Sequence, residues 1–270
     1  MREGASLCNS YGCARAVAPD LGIRYLRNEQ ADAEDRILAA ELAGDYVVVD
    51  DEIVDALLAI LCNGAESELL RSRAAISFGP ALETAATGDF DDPDDVPITE
   101  PAFQRVQQAL THLYLDATLP KIVRRRILEV SVRARQDWNE AAIRAAYTSG
   151  DPEWMLTAVF CMGYVRGFDR EILESLNNAD PEIHSQAVGA AGAWRLDAAW
   201  PHISRLLTSG KSEKPLLLAA IEAAASIRPK EAVELLDDYM DSDDEDIADA
   251  VESVMAMSED SWADLDDDDK

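Results

Sequence analysis

Residues 123–135 read VRRRILEVSVRAR, five arginines and one acid in a chain of 270 residues whose formal net charge is −29. Guanidinium groups at that density do the chemistry of anion recognition, because each is a planar fork that meets a carboxylate or phosphate through two parallel hydrogen bonds. Two readings compete. In one, the arginines bridge to acids of their own chain and cover the core edge with their apolar stems; in the other, they line a local basic groove for a carboxylate-rich or phosphorylated ligand. At 100° per residue, Val123, Ile127, Val130 and Ala134 form one apolar stripe of a helix. Arg126 and Arg133 flank the stripe on one side and Arg124 and Arg135 on the other, while Arg125 stands one turn before Glu129. These four flanking arginines are candidate binding residues. The 53 acids of the chain favour the internal reading for them.

Other groupings of reactive side chains are incomplete. The segment DSDDEDIADAVE, residues 241–252, sets Asp241, Asp243, Glu245, Asp249 and Glu252 at positions one, three, five, nine and twelve of a calcium-binding loop. Position six is Asp246, where that loop needs glycine for its turn, and position eight is Ala248, where a β-branched apolar residue normally packs. An acid-rich helix start is the simpler expectation. Cys8 and Cys13 have a metal-type spacing, but no second pair follows, and His112, His184 and His202 are scattered without Cys or Glu at ligand spacing. The chain has no G-x-S-x-G, no Walker-type glycine loop and no G-x-G-x-x-G. Catalytic residues, a metal and a cofactor are therefore not expected.

The bulk properties narrow the partner. An apolar content of 48% supports a real core. Between Asp237 and Lys270 stand 16 acids and one base, and the rest of the chain is acidic too. That potential repels phosphate backbones and anionic headgroups, which disfavours nucleic acid and membrane surfaces and favours solubility or a cationic partner instead. Cys62 and Cys161 lie in apolar runs where a reduced thiol packs as a small hydrophobe. No run reaches the roughly 18 apolar residues of a membrane span. The first 20 residues are broken by Asn9, Ser10, Tyr11 and Arg15 where a secretory signal would be continuous. A cytoplasmic protein is expected.

The elements that must position these side chains repeat. ESELLRSRAAISFG, LPKIVRRRILEVS, DPEWMLTAVFCMG, DPEIHSQAVGAAG, EKPLLLAAIEAAA and DDEDIADAVESVM align on Ala74, Arg126, Ala158, Ala187, Ala220 and Ala250. An apolar residue follows each anchor: Ala75, Ile127, Val159, Val188, Ile221 and Val251. Five residues past each anchor stand Gly79, Ser131, Gly163, Gly192, Ala225 and Met255, five of them small. A small residue one turn beyond an apolar one lets a neighbouring helix approach closely. The Asp-Pro-Glu starts at 151 and 180 supply an N-cap, a proline in the first turn and an acid beside the helix dipole. A second amphipathic stretch, such as EIVDALLAILC or FDREILESLN, separates successive segments. Helices A and B therefore alternate, and neither buries its face alone, so the pairs must stack. The reading is all-α: an α-solenoid of about six stacked helix pairs over 31–258. An irregular segment or cap occupies 1–30, an acidic loop is inserted at 86–100, and an acidic disordered tail covers 259–270.

Arg166, Arg195 and Arg228 each stand eight residues after an anchor, at or beyond the ends of three consecutive B helices. Cations there complement the helix dipole and can satisfy terminal carbonyls; stacking also sets them in a row. Arg166 and Arg195 join Arg124, Arg126, Arg133 and Arg135 as candidate binding residues.

From SRAAISFG, DPEWMLTAVFCMG and DPEIHSQAVGAAG, over about residues 50–258, the chain resembles the HEAT-repeat family, in the short HEAT-like form of phycobilisome lyases. Anchor spacings of 52, 32, 29, 33 and 30 are mostly shorter than longer HEAT units. The resemblance implies an α-solenoid that binds through an extended surface, and the leading expectation is a non-enzymatic scaffold or adaptor whose concave B-helix side takes a protein partner. It also implies an alternative, a phycobilin-lyase-like enzyme or chaperone with tetrapyrrole propionates on Arg124, Arg126 or Arg133. Nucleic-acid binding, known among short-repeat HEAT proteins, stands third. The di-iron hydroxylases of the family carry His-Glu dipeptides on successive repeats, and this chain has none.

Overall fold

The computed structural model describes residues 19–45, 48–88 and 96–263, and these residues form helices and turns without a strand. The chain divides into two compact units, residues 1–139 and 140–270.

In the first unit, α1 (Pro19–Arg27), α3 (Asp51–Cys62) and α6 (Glu100–Leu115) are A helices. They alternate with α2 (Ala33–Gly44), α4 (Glu68–Ile76) and α7 (Lys121–Ser131). The B helices lie side by side, α2 on α4 and α4 on α7, and the A helices form the second layer. An extra helix, α5 (Gly79–Thr87), follows α4 and packs on α7 and on the 3-10 turn Val132–Ala134. Helix starts follow local chemistry. Asp50, Ser67 and Thr99 accept from the amides of Ile53, Leu70 and Ala102, satisfying donors that a helix leaves unpaired.

The second unit continues the alternation. Helices α8 (Asn139–Tyr147), α10 (Asp169–Ser175), α12 (Trp200–Ser209) and α14 (Pro229–Leu236) are A helices. Helices α9 (Pro152–Met162), α11 (Pro181–Ala193), α13 (Lys214–Ile227) and α15 (Glu245–Ala263) are B helices, stacked α9 on α11 on α13 on α15. Asp151 caps α9 and Asp180 caps α11, each with proline as the first helical residue, as the Asp-Pro-Glu starts predict.

The alignment holds at atomic level. Ala75, Ile127, Val159, Val188, Ile221 and Val251 are all at 0% exposure. The small residues meet the next B helix: a methyl group at Gly163 would stand 3.7 Å from Ala190 Cα, and one at Gly192 only 2.7 Å from Ala223 Cα. Both partners are the third residue past their own anchor. Gly44 bears the same relation to Ser77, at 3.0 Å, and Ser77 Oγ donates to the Ala40 carbonyl at 2.6 Å. Ala39, Ala40 and Gly44 thus form a further copy of the pattern, and α1 with α2 is a pair beyond the six expected.

Three local expectations meet a different structure. Within 1–30, read as irregular, Pro19–Arg27 is a helix, and residues 1–18 lie outside the described ones. Helix α15 runs through 259–263 of the expected tail, with 264–270 outside the description. The acidic loop is shorter at its start, because α5 reaches Thr87; residues 89–95 lie outside the described chain. No described helix is long and apolar enough to cross a membrane.

Candidate functional site

The stripe that organises residues 123–135 is in place: Val123, Ile127 and Val130 are fully buried and Ala134 nearly so. That burial sets the arginines at the helix edges, and most of them turn back onto the protein. Arg124 donates from Nε to the Tyr114 carbonyl at 3.2 Å and lies over the Tyr114 ring, 5.2 Å from its centroid. Tyr114 in turn stacks on Trp138 at 4.6 Å. Arg126 pairs with Glu129, whose carboxylate is only 4% exposed. Arg133 reaches α5 and pairs with Glu83, its side chain lying over Gly79. Arg135 follows the 3-10 turn, is exposed, and makes no ion pair among the described residues. Arg124 and Arg133 thus tie this segment to α6 and α5 within the first unit, while Arg126 pairs within α7 itself. The propionate-pairing role that the tetrapyrrole alternative gave to Arg124, Arg126 and Arg133 falls on guanidinium groups already engaged.

The arginines eight residues past the anchors differ. Arg166 is exposed and lies over the Trp194 ring, its Cζ 4.3 Å from the centroid. The indole, not an arginine, satisfies the end of α9: Trp194 Nε1 donates to the Met162 carbonyl at 2.6 Å. Neither Arg166 nor Arg195 caps a terminal carbonyl with its side chain among the described residues, so the capping expectation for them is replaced by stacking and exposure. Arg228 is claimed by Asp197, at 2.8 Å, and lies over Trp200. Its hydrogen bond holds the Asp197 carboxyl below the usual carboxylate range.

Arg195 closes α11 in an unusual way. The Leu196 amide donates to the Ala191 carbonyl and the Arg195 amide to the Gly192 carbonyl, both at 2.9 Å. This pattern puts Arg195 at the position where glycine is the common residue. Its φ is 51°, the single positive φ at a non-glycine among the described residues. A side chain in that region costs roughly 1–2 kcal/mol, since its Cβ crowds the following carbonyl. The arginine is exposed and makes no ion pair among the described residues. Trp194 therefore carries Arg166 on its face and Arg195 as its chain neighbour, two guanidinium groups that pair with no carboxylate among the described residues.

Elsewhere the acids are used internally. Residues 241–252 do not form a loop, since α15 starts at Glu245, and Lys214 Nζ stands 2.6 Å from both Asp244 and Asp246. No group of three or more His, Cys, Asp or Glu side chains gathers into a metal site among the described residues. The sequence reading missed two arrangements. Arg36, nearly buried, makes two 2.8 Å hydrogen bonds to Glu66 and one to the Leu26 carbonyl, tying α1 and α2 to the α3–α4 turn. His184 and His202, scattered in sequence, come together. Spacing carries no signal for either.

No family model matches the chain, and no curated protein matches it. Among solved structures, it is similar to the CpcE–CpcF complex of phycocyanin lyase from Nostoc sp. PCC7120, at 18% identity and a TM-score of 0.46, covering 88% of this chain and 95% of that one. It is also similar to human deoxyhypusine hydroxylase, at 13% identity and a TM-score of 0.42, covering 89% and 84%. An engineered protein follows at 16% and 0.43, covering 88% and 67%.

Proposed function

We propose that the chain is a non-enzymatic HEAT-like repeat scaffold whose B-helix side recruits a protein partner, with Arg166 and Arg195 receiving carboxylates of that partner beside Trp194. The supporting observation is Arg195. A backbone conformation that favours glycine is occupied by a long cation that pairs with no acid among the described residues, and strain of this kind clusters at binding sites. Trp and Arg together are also the residue types that anchor protein interfaces, because a ring-supported guanidinium loses little freedom when a carboxylate docks. The arginines of α7, by contrast, serve the fold.

Affinity purification from the source cell with mass spectrometry, comparing the wild type with R166E/R195E, tests this reading. One or more specific partners are expected to disappear from the variant while its melting temperature stays unchanged. Retention of every partner by a folded variant would remove these arginines from the interface.

A further inference from the structure

His184, in the first turn of α11, and His202, in the first turn of α12, place their Nε2 atoms 2.8 Å apart, with the rings edge-on and centroids separated by 5.0 Å. Two imidazole nitrogens at that distance require one N–H and one lone pair. The contact therefore accepts two neutral rings or one imidazolium, and a second proton removes its acceptor and sets like charges against each other. No other side-chain hydrogen bond or ion pair joins α11 to α12 among the described residues. Among the described residues, no third His, Cys, Asp or Glu completes a metal-binding group around the two rings. His184 and Arg205, one turn further along α12, bear on His202, and among the described residues no carboxylate of α9, α10, α13 or α14 offsets them.

We propose that this imidazole pair is a proton-sensitive tie between consecutive repeats, holding α12 against α11 while at least one ring is neutral and releasing it when both are charged. The tie does not depend on the partner reading above. Burial lowers the proton affinity of both rings from the ordinary value of 6.5, and His184 and Arg205 lower that of His202 further. The unfolded chain then binds more protons than the folded one, so the contribution is complete above pH 6.5 and is lost as pH falls through the lowered values. Carboxylates that a partner holds low, such as Asp197 beside Arg228, change the stability in the same direction but at lower pH, in the carboxylate range.

The test isolates the imidazole contribution on the full chain. Hydrogen exchange of the α12 amides is measured between pH 7.5 and 5.0, corrected for the intrinsic rate, in the wild type and in H184Q/H202Q. The imidazole proton signals of His184 and His202, assigned by their loss in the variant, are titrated in the wild type. Protection of α12 is expected to fall about tenfold more in the wild type than in the variant, and both imidazoles are expected to titrate below the ordinary value of 6.5. Equal pH dependence in the two proteins, or both imidazoles titrating at the ordinary value, would overturn the proposal. If the variant fails to fold, the imidazole titration alone decides.

Discussion

The position five residues past the anchor is small in both units, yet it receives different neighbours. In the second unit, Gly192 of α11 lies against the backbone of α13 at Ala223. In the first, Gly79 lies under the side chain of Arg133, whose Cδ and Nε would stand 3.0 Å from an added methyl group and whose guanidinium pairs with Glu83. A missing side chain opens a slot of fixed size, and what fills it depends on how the next helix is carried past. At Gly79 the extra helix α5 brings both the slot and Glu83 next to the end of α7, so a long cation does the filling. At Gly192 nothing intervenes, and the helices themselves close the gap.

The difference predicts a graded series. Gly192→Ala sets a methyl group against backbone that cannot yield locally, so α11 and α13 must separate; a loss of about 1–3 kcal/mol is expected in denaturant unfolding. Arg133→Ala empties the other slot and breaks the pair with a half-exposed Glu83, costing roughly 1–2 kcal/mol. Gly79→Ala should cost less than about 1 kcal/mol, because the flexible arginine gives way where the Ala223 backbone does not. An equal loss for Gly79→Ala and Gly192→Ala would erase the distinction. The smallest effects have the other sign. Gly189→Ala, on the open face of α11 with nothing within 4 Å, should gain roughly 0.5–1 kcal/mol of helix propensity. Arg195→Gly should gain a similar amount, about 0.5–1 kcal/mol, by relieving its backbone strain. Isothermal titration with the captured partner should nevertheless show weaker binding for Arg195→Gly, a divergence that a purely structural arginine does not produce.

Much of the fold was legible because its signals are local and recur. A small residue five positions past an apolar one carries its meaning wherever it occurs, which is why the anchors from Ala74 to Ala250 lead to the B helices. The first copy, Ala39-Ala40 with Gly44, obeys the same rule but lies in AEDRILAAELAG, without the Asp-Pro start that marks α9 and α11. Helix α5 escaped because its nine residues follow α4 after only a short turn, and it carries no side-chain N-cap. At the candidate site, the wheel placed the α7 arginines beside their stripe, but the partners of Arg133 and Arg124 come from α5 and α6. The eight-residue offset marked Arg166 and Arg195 as special and suggested capping; the role of Trp194, from the following repeat, depends on where the helices cross.

The sequence by itself determined what short-range physics decides: helical periodicity, capped starts and the small positions that permit close stacking. Only the tertiary structure decided which cations are neutralised, since an ion pair such as Arg36 with Glu66 or Arg133 with Glu83 joins residues 30 and 50 positions apart. It also decided that two histidines 18 residues apart share one hydrogen bond. Local pattern sets the direction in which a side chain leaves its helix, whereas the group it meets is chosen by the packing of helices that are distant in the chain.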